Sequence, residues 1–594
     1  MKRPLLLCLA LFVLGAAPSP LVVGSVRDQD GAPIAGANVN LAGSAAAVQT
    51  AADGTFALTG TGNAVEIRCA YCRPTEAAIA ADGTVTAIVL RYDAVRLEGP
   101  SRADLANLPY THAESNVSLT PWIVLEQNGN PAIGSSLHDR SVYTYGGLLV
   151  LDGIPDYNSA DGITTYTTIP YNATTDVDVE RVPQAYEYGD LANFGTFSVT
   201  TTGGTSYAAA GSSAIGGLAV NGTNSASVGV SSDGSGARSR GTLLLAMPIS
   251  DATLGVTLAS GSGDNSSQQT LQSSFSAFRL GYERTSGADL YASITGDLGT
   301  DNYTLAEYFP GYTVPPSFYA NDRWSDFDGR IGIRSRAIVA PFAEVDVHTS
   351  TGWYEAPGID EYTDDLVDQS TAGTIDQSRV YAGINATLPW LRANVAYGID
   401  AVHFVDMTAY QENTDQTGHD ASATLELRPT AAWDLAGSAN AGYVLQNVLG
   451  YAAPGSTQTP PLMLVSSDEL NLTYMDLRRV RVGLTTFGTQ SQYYRETSDG
   501  AFVAWQIAPT VSLRTWWLEA HPQSAPQQSV GSAWLTATTG ALRFDVIWRR
   551  DLYNFAGNAH LDGSVSGPFG VHARWFAQTE QFAHVRMTNV GIRF

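Results

Sequence analysis

The sequence predicts an all-β protein whose larger part is a transmembrane antiparallel β-barrel, and three observations support this. Glycine (58), tyrosine (28) and tryptophan (11) are plentiful in the 594 residues, a composition typical of sheets. We find no apolar stripe of helical period longer than about two turns. From Ser206 to Phe594 apolar and polar residues alternate with the period of two that strands with two different faces require.

The charge balance excludes several functions. The formal net charge is -25, and Lys2 is the only lysine. A nucleic-acid partner therefore has almost no electrostatic support. Chemistry that depends on a lysine, such as a P-loop or a Schiff base, is excluded from the mature chain.

Residues 1–17 are predicted to be a signal peptide. Two cations precede an apolar core from Leu5 to Val13, and small residues follow from Gly15 to Ala17, any of which fits the cleavage site. The apolar run is shorter than the roughly 18 to 20 residues that a membrane helix needs, so we expect export. No later segment carries that many uncharged apolar residues, so a membrane location would require a β-barrel.

Residues 21–94 are predicted to form a small β-sandwich. In "GANVNLAG", Val39 and Leu41 face one way while Asn38 and Asn40 face the other, and the Asp-Gly turns in "DQDGAPIAG" and "AADGTF" separate such strands. These motifs resemble the carboxypeptidase regulatory-like domain, which accompanies zinc peptidases and also precedes outer-membrane receptors. None of the nine histidines has Glu three residues on, and His-Glu-x-x-His and Gly-x-Ser-x-Gly are absent, so we expect no enzyme activity.

The cysteines of "CAYC", Cys69 and Cys72, are predicted to form a disulfide across a turn in the oxidising periplasm. A redox-active pair and a zinc site are the alternatives. The redox motif needs a helix N-terminus where this segment predicts strand and turn, and zinc needs two further ligands that no neighbouring histidine supplies. Acidic loops such as "DGSG" and "SGDNSS" are typical of solvated turns, so we expect no metal and no cofactor.

Residues 95–205 carry two ordered motifs, "GGLLVLDGIP" and "VERVPQAYEYGDLANFGTFSVTTTGGT". Together they resemble the plug domain of TonB-dependent outer-membrane receptors, although the Arg-Gly-Pro common before the Tyr-Gly is missing. The residues that carry the resemblance are Asp152, Gly153, Pro155, Glu180, Arg181, Tyr188 and Gly189. We expect Asp152 to form a turn, and Glu180 and Arg181 to pair with the barrel wall. A second closing strand, "GSSAIGGLAV", leaves the end of the plug open between residues 205 and 220.

Residues 206–594 are predicted to be the barrel. "FAEVDVHTS" places Glu344 and His348 on one face and Val345 and Val347 on the other, and "ATLELRP" and "GRIGIRS" follow the same pattern. In a soluble sandwich the apolar face would be the core. In a transmembrane barrel the apolar row meets lipid and the charged row lines a wet lumen, which suits nearly 400 residues with so many charged inner positions.

The chain ends in "NVGIRF", which places Val590, Ile592 and Phe594 on one strand face. This pattern resembles the C-terminal strand of bacterial outer-membrane proteins, which the barrel assembly machinery reads. Counting alternating segments gives about 18 to 20 strands. The family resemblance implies 22, and so many strands leave room only for short external loops.

The resemblance implies a receptor that binds a ligand outside the cell and releases its plug when the inner-membrane TonB complex pulls on an N-terminal segment. We expect that segment between Asp93 and Ser115, where "DAVRLEGPS" is the candidate. The expected location is the outer membrane of a Gram-negative-type bacterium, with the sandwich in the periplasm. Expected partners are outer-membrane lipid, the TonB complex, the barrel assembly machinery and an unidentified small-molecule or oligomeric ligand of siderophore, glycan or peptide class. A plugged barrel without active transport, serving as adhesin, sensor or assembly component, and a passive porin are the alternatives.

Overall fold

The computed structural model of the chain describes residues 21–593 with gaps. The longer gaps are residues 29–32, 42–46, 90–95, 128–134, 143–147, 157–175, 181–194, 201–206, 221–224, 234–238, 265–269, 305–318, 360–365, 407–412, 446–461 and 476–479. The predicted signal peptide, Asp152, Gly153, Arg181, Tyr188, Gly189 and Phe594 lie outside the described residues.

The N-terminal region is a sandwich of two small sheets, as predicted. Its strands are β1 (Leu21–Asp28), β2 (Asn38–Leu41), β3 (Ala47–Gln49), β4 (Thr55–Thr59), β5 (Ala64–Cys69), β6 (Cys72–Ala78) and β7 (Thr84–Val89). One sheet has the order β4-β1-β7 and the other β3-β2-β5-β6. Val26, Val39 and Ile67 are fully buried in the core between them. Asn38 points to the opposite face of its sheet and is nevertheless only 9% exposed.

The two cysteines lie at the facing ends of a hairpin. β5 and β6 pair antiparallel, and the register places Cys69 opposite Cys72 beyond a β-bulge. A disulfide across this hairpin stays a prediction. The strand on each side of the turn differs from the helix N-terminus that a thioredoxin-like pair uses.

The plug region combines a hairpin, a mixed sheet and two short helices. These elements are β8 (Arg96–Glu98), α1 (Arg102–Leu105), α2 (Ala113–Val117), β9 (Ile123–Gln127), β10 (Ser135–Asp139), β11 (Leu148–Leu151), β12 (Ile154–Asp156), β13 (Asp176–Glu180) and β14 (Thr196–Thr200). The sheet has the order β12-β11-β14-β13-β8, in which β11 and β14 run parallel, and β9 and β10 form a separate hairpin.

The rest of the chain is a closed antiparallel barrel. Its strands are β15 (Tyr207–Gly211), β16 (Ser213–Val220), β17 (Ser225–Asp233), β18 (Ser239–Ile249), β19 (Ala252–Asp264), β20 (Thr270–Ser286), β21 (Ala288–Thr304), β22 (Tyr319–Ser335), β23 (Val339–Tyr354), β26 (Thr371–Leu388), β27 (Leu391–Asp406), β28 (Asn413–Thr430), β29 (Trp433–Leu445), β30 (Leu462–Met475), β31 (Val480–Ser491), β32 (Arg495–Ala508), β33 (Val511–Pro522), β34 (Gln528–Thr539), β35 (Leu542–Tyr553), β36 (Ala556–Phe569), β37 (Ala573–Phe582) and β38 (Val585–Arg593). A small hairpin of β24 (Pro357–Ile359) and β25 (Leu366–Asp368) lies between β23 and β26.

The barrel closes between its first and last strands. β15 pairs antiparallel with β38, from Tyr207 opposite Arg593 to Gly211 opposite Asn589. The described residues therefore contain the 22 wall strands that the family resemblance implied. The segment "GSSAIGGLAV" contributes to β15 and supplies β16, so it belongs to this wall.

Exposure along the wall follows the predicted facing. Val345 and Val347 are exposed, whereas Glu344, with 1% exposure, and His348 are buried. In a water-soluble protein these two sets would be exchanged, so the apolar row faces outwards and the charged row faces the lumen. No helix in the described part of the chain is long and apolar enough to cross a membrane.

The two ends of the barrel differ. At the turn end, where β15 begins and β38 finishes, strands are joined by short connections such as residues 389–390 and 431–432. The loop end carries the longest connections, at residues 305–318 and 446–461. An outward row of aromatic side chains follows the turn end, as in transmembrane barrels, and includes Trp390, Trp433, Tyr474, Trp505 and Phe569.

The facing of β27 gives a test of the lipid contact. Val395 lies in the middle of an outward apolar row and is 62% exposed, while its neighbour Asn394 points inwards and donates to Asn385. An arginine on the lipid row costs about 2 to 4 kcal/mol near mid-bilayer. We therefore expect Val395→Arg to lower the free energy of unfolding in lipid vesicles by that amount, measured by urea titration of tryptophan fluorescence.

Asn394→Arg is the matched control for Val395→Arg. It places the same cation on the lumenal row and removes one amide hydrogen bond, so its expected cost is about 1 kcal/mol. Equal destabilisation by the two variants would contradict the assignment of the outer face.

Two turns of the sandwich make its stability depend on pH. Asp53 and Asp82 accept hydrogen bonds from the hydroxyl groups of Thr55 and Thr84, and then from their backbone N–H groups, which hold the pKa of both carboxyls below the usual value. A depressed pKa stabilises the fold fully above the unfolded value of about 3.9, and this contribution is lost as the pH falls through the lower folded pKa.

We therefore expect acid to weaken amide protection in residues 47–59 and 78–89, measured by hydrogen-exchange mass spectrometry from about pH 5 down to about pH 2. In the double variant Asp53→Asn, Asp82→Asn this acid-dependent loss should be smaller. An unchanged pH profile would show that these two turns do not couple to the stability of the sandwich.

Candidate functional site at the plug seam

A seam of polar contacts joins the plug to the barrel wall. Within the described part of the chain, the seam runs from plug residues 104–142 to strands β30–β38. These contacts combine ion pairs with hydrogen bonds to side chains and backbone carbonyls. Three groups, which we name the Asp104, Tyr110 and Arg140 clusters, make up most of it.

The Asp104 cluster lies near the turn end. The carboxylate of Asp104, on α1, is 1% exposed and accepts from Arg514 Nη1 at 3.2 Å and Arg543 Nη2 at 2.9 Å. Arg543 also pairs with Asp545 at 2.8 Å, and Asp545 accepts from Trp534 Nε1 at 2.9 Å. Asp104 is therefore held by two arginines on separate wall strands, Arg514 on β33 and Arg543 on β35. The ion pair with Asp545 orients Arg543.

The Tyr110 cluster lies further along the lumen. The hydroxyl of Tyr110 donates to Asp562 Oδ2 at 3.0 Å, and the guanidinium of Arg549 lies 5.0 Å from the centre of the Tyr110 ring. Arg549 pairs with Asp551 at 2.9 Å and donates to Ser118 Oγ at 2.6 Å. Tyr110 and Ser118 of the plug thus supply hydrogen bonds to two charged side chains of the wall, Asp562 and Arg549.

The Arg140 cluster follows the β9–β10 hairpin. The Arg140 guanidinium is fully buried, donates to both oxygens of Asp139 at 3.0 and 2.7 Å, and forms an ion pair with Glu469 on β30. Burial favours a lower pKa for Arg140, but the neighbouring carboxylates outweigh burial and raise this pKa, so the side chain stays charged. Arg140, Asp139 and Glu469 therefore depend on one another, because each buried charge is balanced within this group of three.

The backbone around Arg140 is held in an uncommon conformation. Arg140 has φ of 54° and Trp122 has φ of 68°, and the N–H of Arg140 donates to the Trp122 carbonyl at 3.0 Å. A non-glycine residue in this region costs of the order of 1–3 kcal/mol. Ser498 on β32 donates to the Arg140 carbonyl, and Glu496 accepts from Ser141 Oγ at 2.7 Å and from the N–H of Val142 at 2.9 Å. The wall thus stabilises the strained turn that aims Arg140 at Glu469.

Backbone pairing adds a further link near the loop end. β9 runs parallel to the end of β35, with Glu126 opposite Leu552 and Gln127 opposite Tyr553. The buried Glu126 side chain contacts His138 on the paired strand β10 at 3.3 Å. The seam therefore extends along most of the height of the barrel.

The wall on the far side of the lumen carries its own charge pairs. Arg330 pairs with Glu344 at 2.8 Å, and Arg379 contacts Asp400 at 3.3 Å and Asp420 at 3.5 Å. These residues belong to consecutive wall strands, β22 to β28. Cross-strand partners thus neutralise these charges in part. The alternating sequence pattern predicted the lumenal position of such charged rows but not this pairing.

A polar cleft separates the sandwich from the turn end of the barrel. Its sandwich side carries Asn40 and Glu66, its barrel side Gln506 and Arg574, and Asn107 of the plug borders it. Glu66 accepts from Asn40 Nδ2 at 3.3 Å. Asn38, which the strand pattern placed on the outer face of the sandwich, also borders this cleft, where the barrel faces it.

The residues predicted from sequence are only partly described. Pro155 lies in β12 and Glu180 at the end of β13, so the predicted pairing of Glu180 and Arg181 with the wall stays a prediction. In β38, Val590 points outwards and is 61% exposed. Ile592 lies in the same strand, and recognition of this strand by the assembly machinery stays a prediction.

Sequence reasoning missed Asp104, Tyr110 and Arg140. The local signal is "HDRS" at residues 138–141, a charged run that spans the end of β10. It marks a polar site without indicating its partner.

The Arg140 cluster generates an ordered prediction. Removing one partner of a buried ion pair costs about 3 to 5 kcal/mol. Glu469→Ala leaves Arg140 paired with Asp139, whereas Arg140→Ala leaves both carboxylates buried without their shared cation. We expect Arg140→Ala to lower the stability of the plug more than Glu469→Ala does, measured as the urea concentration at which protease cleaves the plug inside the folded barrel.

Ser141→Ala is the mild control for the Arg140 cluster, because it removes one hydrogen bond to Glu496 and no charge. Heat-modifiable gel mobility should stay unchanged in all three variants, which shows that the barrel is intact. A greater loss in Glu469→Ala than in Arg140→Ala would contradict the shared-cation arrangement.

No protein-family model matches the chain, and no curated protein matches its sequence, so the likeness of residues 21–94 to the regulatory-like domain stays a prediction. Solved structures do match. The copper transporter OprC is 11% identical with a TM-score of 0.62, covering 82% of this chain and 95% of its own.

Two further solved structures are similar over the same extent. The ferric citrate transporter FecA is 11% identical with a TM-score of 0.62, covering 84% of this chain and 96% of its own. The siderophore receptor PiuA from Acinetobacter baumannii is 10% identical with a TM-score of 0.60, covering 83% and 95%. The chain therefore has the plugged β-barrel fold of the TonB-dependent receptors, as the plug motifs predicted.

Proposed function

We propose that the protein is an outer-membrane receptor that takes up a scarce nutrient with energy supplied through TonB. The observation that carries the proposal is the seam, which fixes a plug inside a closed 22-strand barrel. A barrel of that circumference would otherwise be an open pore. A plug held by polar contacts is removable, because water entering the lumen hydrates the separated charges.

The solved structures support the uptake of a small polar cargo. The three similar proteins are a copper transporter, a ferric citrate transporter and a siderophore receptor. The cargo class proposed for this chain is correspondingly a siderophore, glycan or peptide. The lumenal pairs of β22–β28 suit such a cargo, since charged and amide side chains exchange hydrogen bonds with polar groups in passing.

The segment proposed for TonB includes an ordered strand. Residues 96–98 form β8, which lies at the edge of the plug sheet and, among the described residues, pairs with β13 alone. An edge strand of this kind can accept a strand from a partner by backbone pairing. This placement supports the interpretation of "DAVRLEGPS" as the TonB segment.

A plugged barrel without active transport, as adhesin, sensor or assembly component, is the second candidate. It is favoured by the brevity of several loop-end connections, such as residues 492–494 and 554–555. Receptors that capture a ligand outside the cell use long loops at that end to enclose it. A passive porin is disfavoured, because the seam holds a plug inside the lumen against β30–β38.

Uptake by intact cells tests the proposal. Cells that carry the protein would be given radioactive ferric siderophores, copper, maltodextrins and oligopeptides, with and without a protonophore. We expect accumulation of one class that stops with the protonophore and in cells without TonB. A variant lacking residues 93–100 should lose this accumulation, because the force would have no attachment point.

Liposome swelling in small sugars supplies the control. Both the intact protein and the variant lacking residues 93–100 should admit little sugar, which shows that the plug is still in place, whereas a variant lacking residues 95–205 should admit it freely. Rapid swelling with the intact protein would establish a porin. Accumulation that ignores the protonophore, or no accumulation of any class, would contradict energised uptake.

A further inference from the structure

We propose that the outer face of β35–β38, near the loop end, binds a glycolipid that carries two phosphates, and that Arg550 and Arg586 hold these phosphates. This surface, which we name the arginine sector, consists of Trp548, Arg550, Gly557, Leu561 and Arg586. The inference goes beyond the proposed function. It shares with that function only the placement of the loop end outside the cell, where the outer leaflet of the membrane lies.

The two arginines lie on the outer face of the wall. Arg549 is buried in the lumen, where it donates to Ser118 of the plug, so its neighbour Arg550 points outwards by the alternation of the strand. Arg586 is exposed and lies four positions before Val590, whose side chain points outwards. Both guanidinium groups therefore face the membrane and not the plug.

The positive charge of these two arginines is not balanced by acids on the same face. The acids of residues 542–593 are all lumenal and at most 4% exposed, and they are Asp545, Asp551, Asp562 and Glu580. Within the described part of the chain Arg550 forms no ion pair, and Arg586 donates to the backbone carbonyl of Leu561 at 3.3 Å. The outer face of these strands thus offers two cations to a ligand of negative charge.

The arginines lie at the level of the lipid head groups. Towards the loop end, the outward residues of β35 are Val546, Trp548 and Arg550 in that order. The ring of Trp548 stacks with that of Trp517 at 6.3 Å between centres, and both rings are partly exposed on the outer face. Tryptophans of this kind mark the boundary between acyl chains and head groups. The guanidinium groups just beyond them therefore lie where lipid phosphates are found.

The separation of the two guanidinium groups favours two phosphates over one. Arg550 lies over Gly557, since a Cβ there would be 3.0 Å from Arg550 Nε, and Arg586 reaches the carbonyl of Leu561 on the same strand, β36. Four residues of a strand span about 14 Å. A single phosphate cannot contact both groups at that distance, whereas phosphates at the two ends of a disaccharide can. The acyl chains of such a lipid would lie against Leu561 and the apolar row below it.

Arginine is well suited to this ligand. A planar guanidinium donates two parallel hydrogen bonds to phosphate oxygens and is weakly hydrated, so it loses little on leaving water. Each cation near a membrane surface strengthens the binding of anionic lipid about fivefold. Two such cations on one face therefore select a lipid that carries two phosphates.

The outer face across the barrel has the opposite charge. On β26–β28, Asp376, His403 and Asp415 follow one another in register on the outer row. Asp376 accepts from Thr349 at 2.8 Å, and His403 contacts Asp415 at 2.7 Å. Carboxylates disfavour phosphate there, and the net charge of -25 gives the chain no general affinity for anions. The bound glycolipid is therefore confined to the arginine sector.

Lipid titration followed by native mass spectrometry tests the proposal. The purified chain, refolded in lipid-free detergent, would be titrated with bisphosphorylated lipid A and with its monophosphorylated form, in the presence and absence of inorganic phosphate. We expect the bisphosphorylated lipid to bind about fivefold more tightly than the monophosphorylated one, because it engages one more cation. Millimolar inorganic phosphate should not displace it, because the acyl chains also contribute to binding.

Variants assign the binding to the two arginines. The double variant Arg550→Ala, Arg586→Ala should weaken binding of the bisphosphorylated lipid about thirtyfold, and Arg550→Lys, Arg586→Lys should retain most of the affinity, because the charges remain. Arg495→Ala is the matched control. Arg495 is an exposed outward cation at the loop end of β32, but its row also carries Asp499, so the affinity should stay unchanged. Heat-modifiable gel mobility verifies that each variant is folded.

Three results would contradict the proposal. Equal affinity for the two forms of lipid A excludes a head group held by two phosphates. An equal loss in Arg495→Ala and in the double alanine variant shows that binding follows overall charge and not the arginine sector. Displacement by inorganic phosphate identifies a free anion, and not a lipid, as the ligand. These measurements involve neither TonB nor a cargo, so their failure leaves the proposed uptake standing, and failure of uptake leaves the lipid site standing.

Discussion

Pairing of the backbone is the constraint from which the rest of the barrel follows. A bilayer offers no water to peptide groups, so each strand needs a hydrogen-bonded neighbour on both sides. The pairing of β15 with β38 removes the last two free edges. Because successive residues point to opposite faces, closure also decides which side chains meet lipid and which meet the lumen. Glu344 and Val345 are adjacent in sequence, yet one is buried and the other exposed.

Closure of the barrel places charged side chains in the lumen, where they require partners of opposite charge. A wall of 22 strands encloses more space than its own side chains fill. Some lumenal charges pair across strands, as Arg330 does with Glu344, and others are completed by the plug, as Glu469 is by Arg140. The attraction within buried pairs is largely offset by their desolvation. The seam therefore determines where the plug sits more than it adds to the net stability of the fold.

Much of the fold follows from the sequence, because strand facing is a local property. Charged and apolar residues alternate with period two, so the inward placement of Glu344 and His348 was predictable from nine residues of sequence. The number of strands came from the resemblance, because turns inside long strands blur a direct count. For Asn38, the strand pattern predicted which way the side chain points but not how exposed it is. Asn38 does point away from the sandwich core, yet it is buried, because the barrel faces it across the cleft.

The seam was not predictable, because its partners are far apart along the chain. Arg140 and Glu469 are separated by 329 positions, and Asp104 and Arg514 by 410. Nothing in the local pattern of either member indicates the other. The turn at Arg140 also opposes local preference, since a non-glycine residue there adopts φ of 54° only because the wall holds its carbonyl and its side chain.

Chain order and spatial order differ in the plug, and this difference shapes how a load is distributed. Along the chain, α1, α2 and the β9–β10 hairpin come between β8 and the strands β11–β14. In space, β8 is hydrogen-bonded directly to β13, so it belongs to the sheet and not to the segment that follows it. A pulling force on the chain N-terminal to β8 is therefore divided. One part passes through the hydrogen bonds between β8 and β13 into the sheet, and the other passes along the chain to Asp104 and into the barrel wall. A plug built in chain order would lack this division, since its first elements would have to leave before any later strand was loosened.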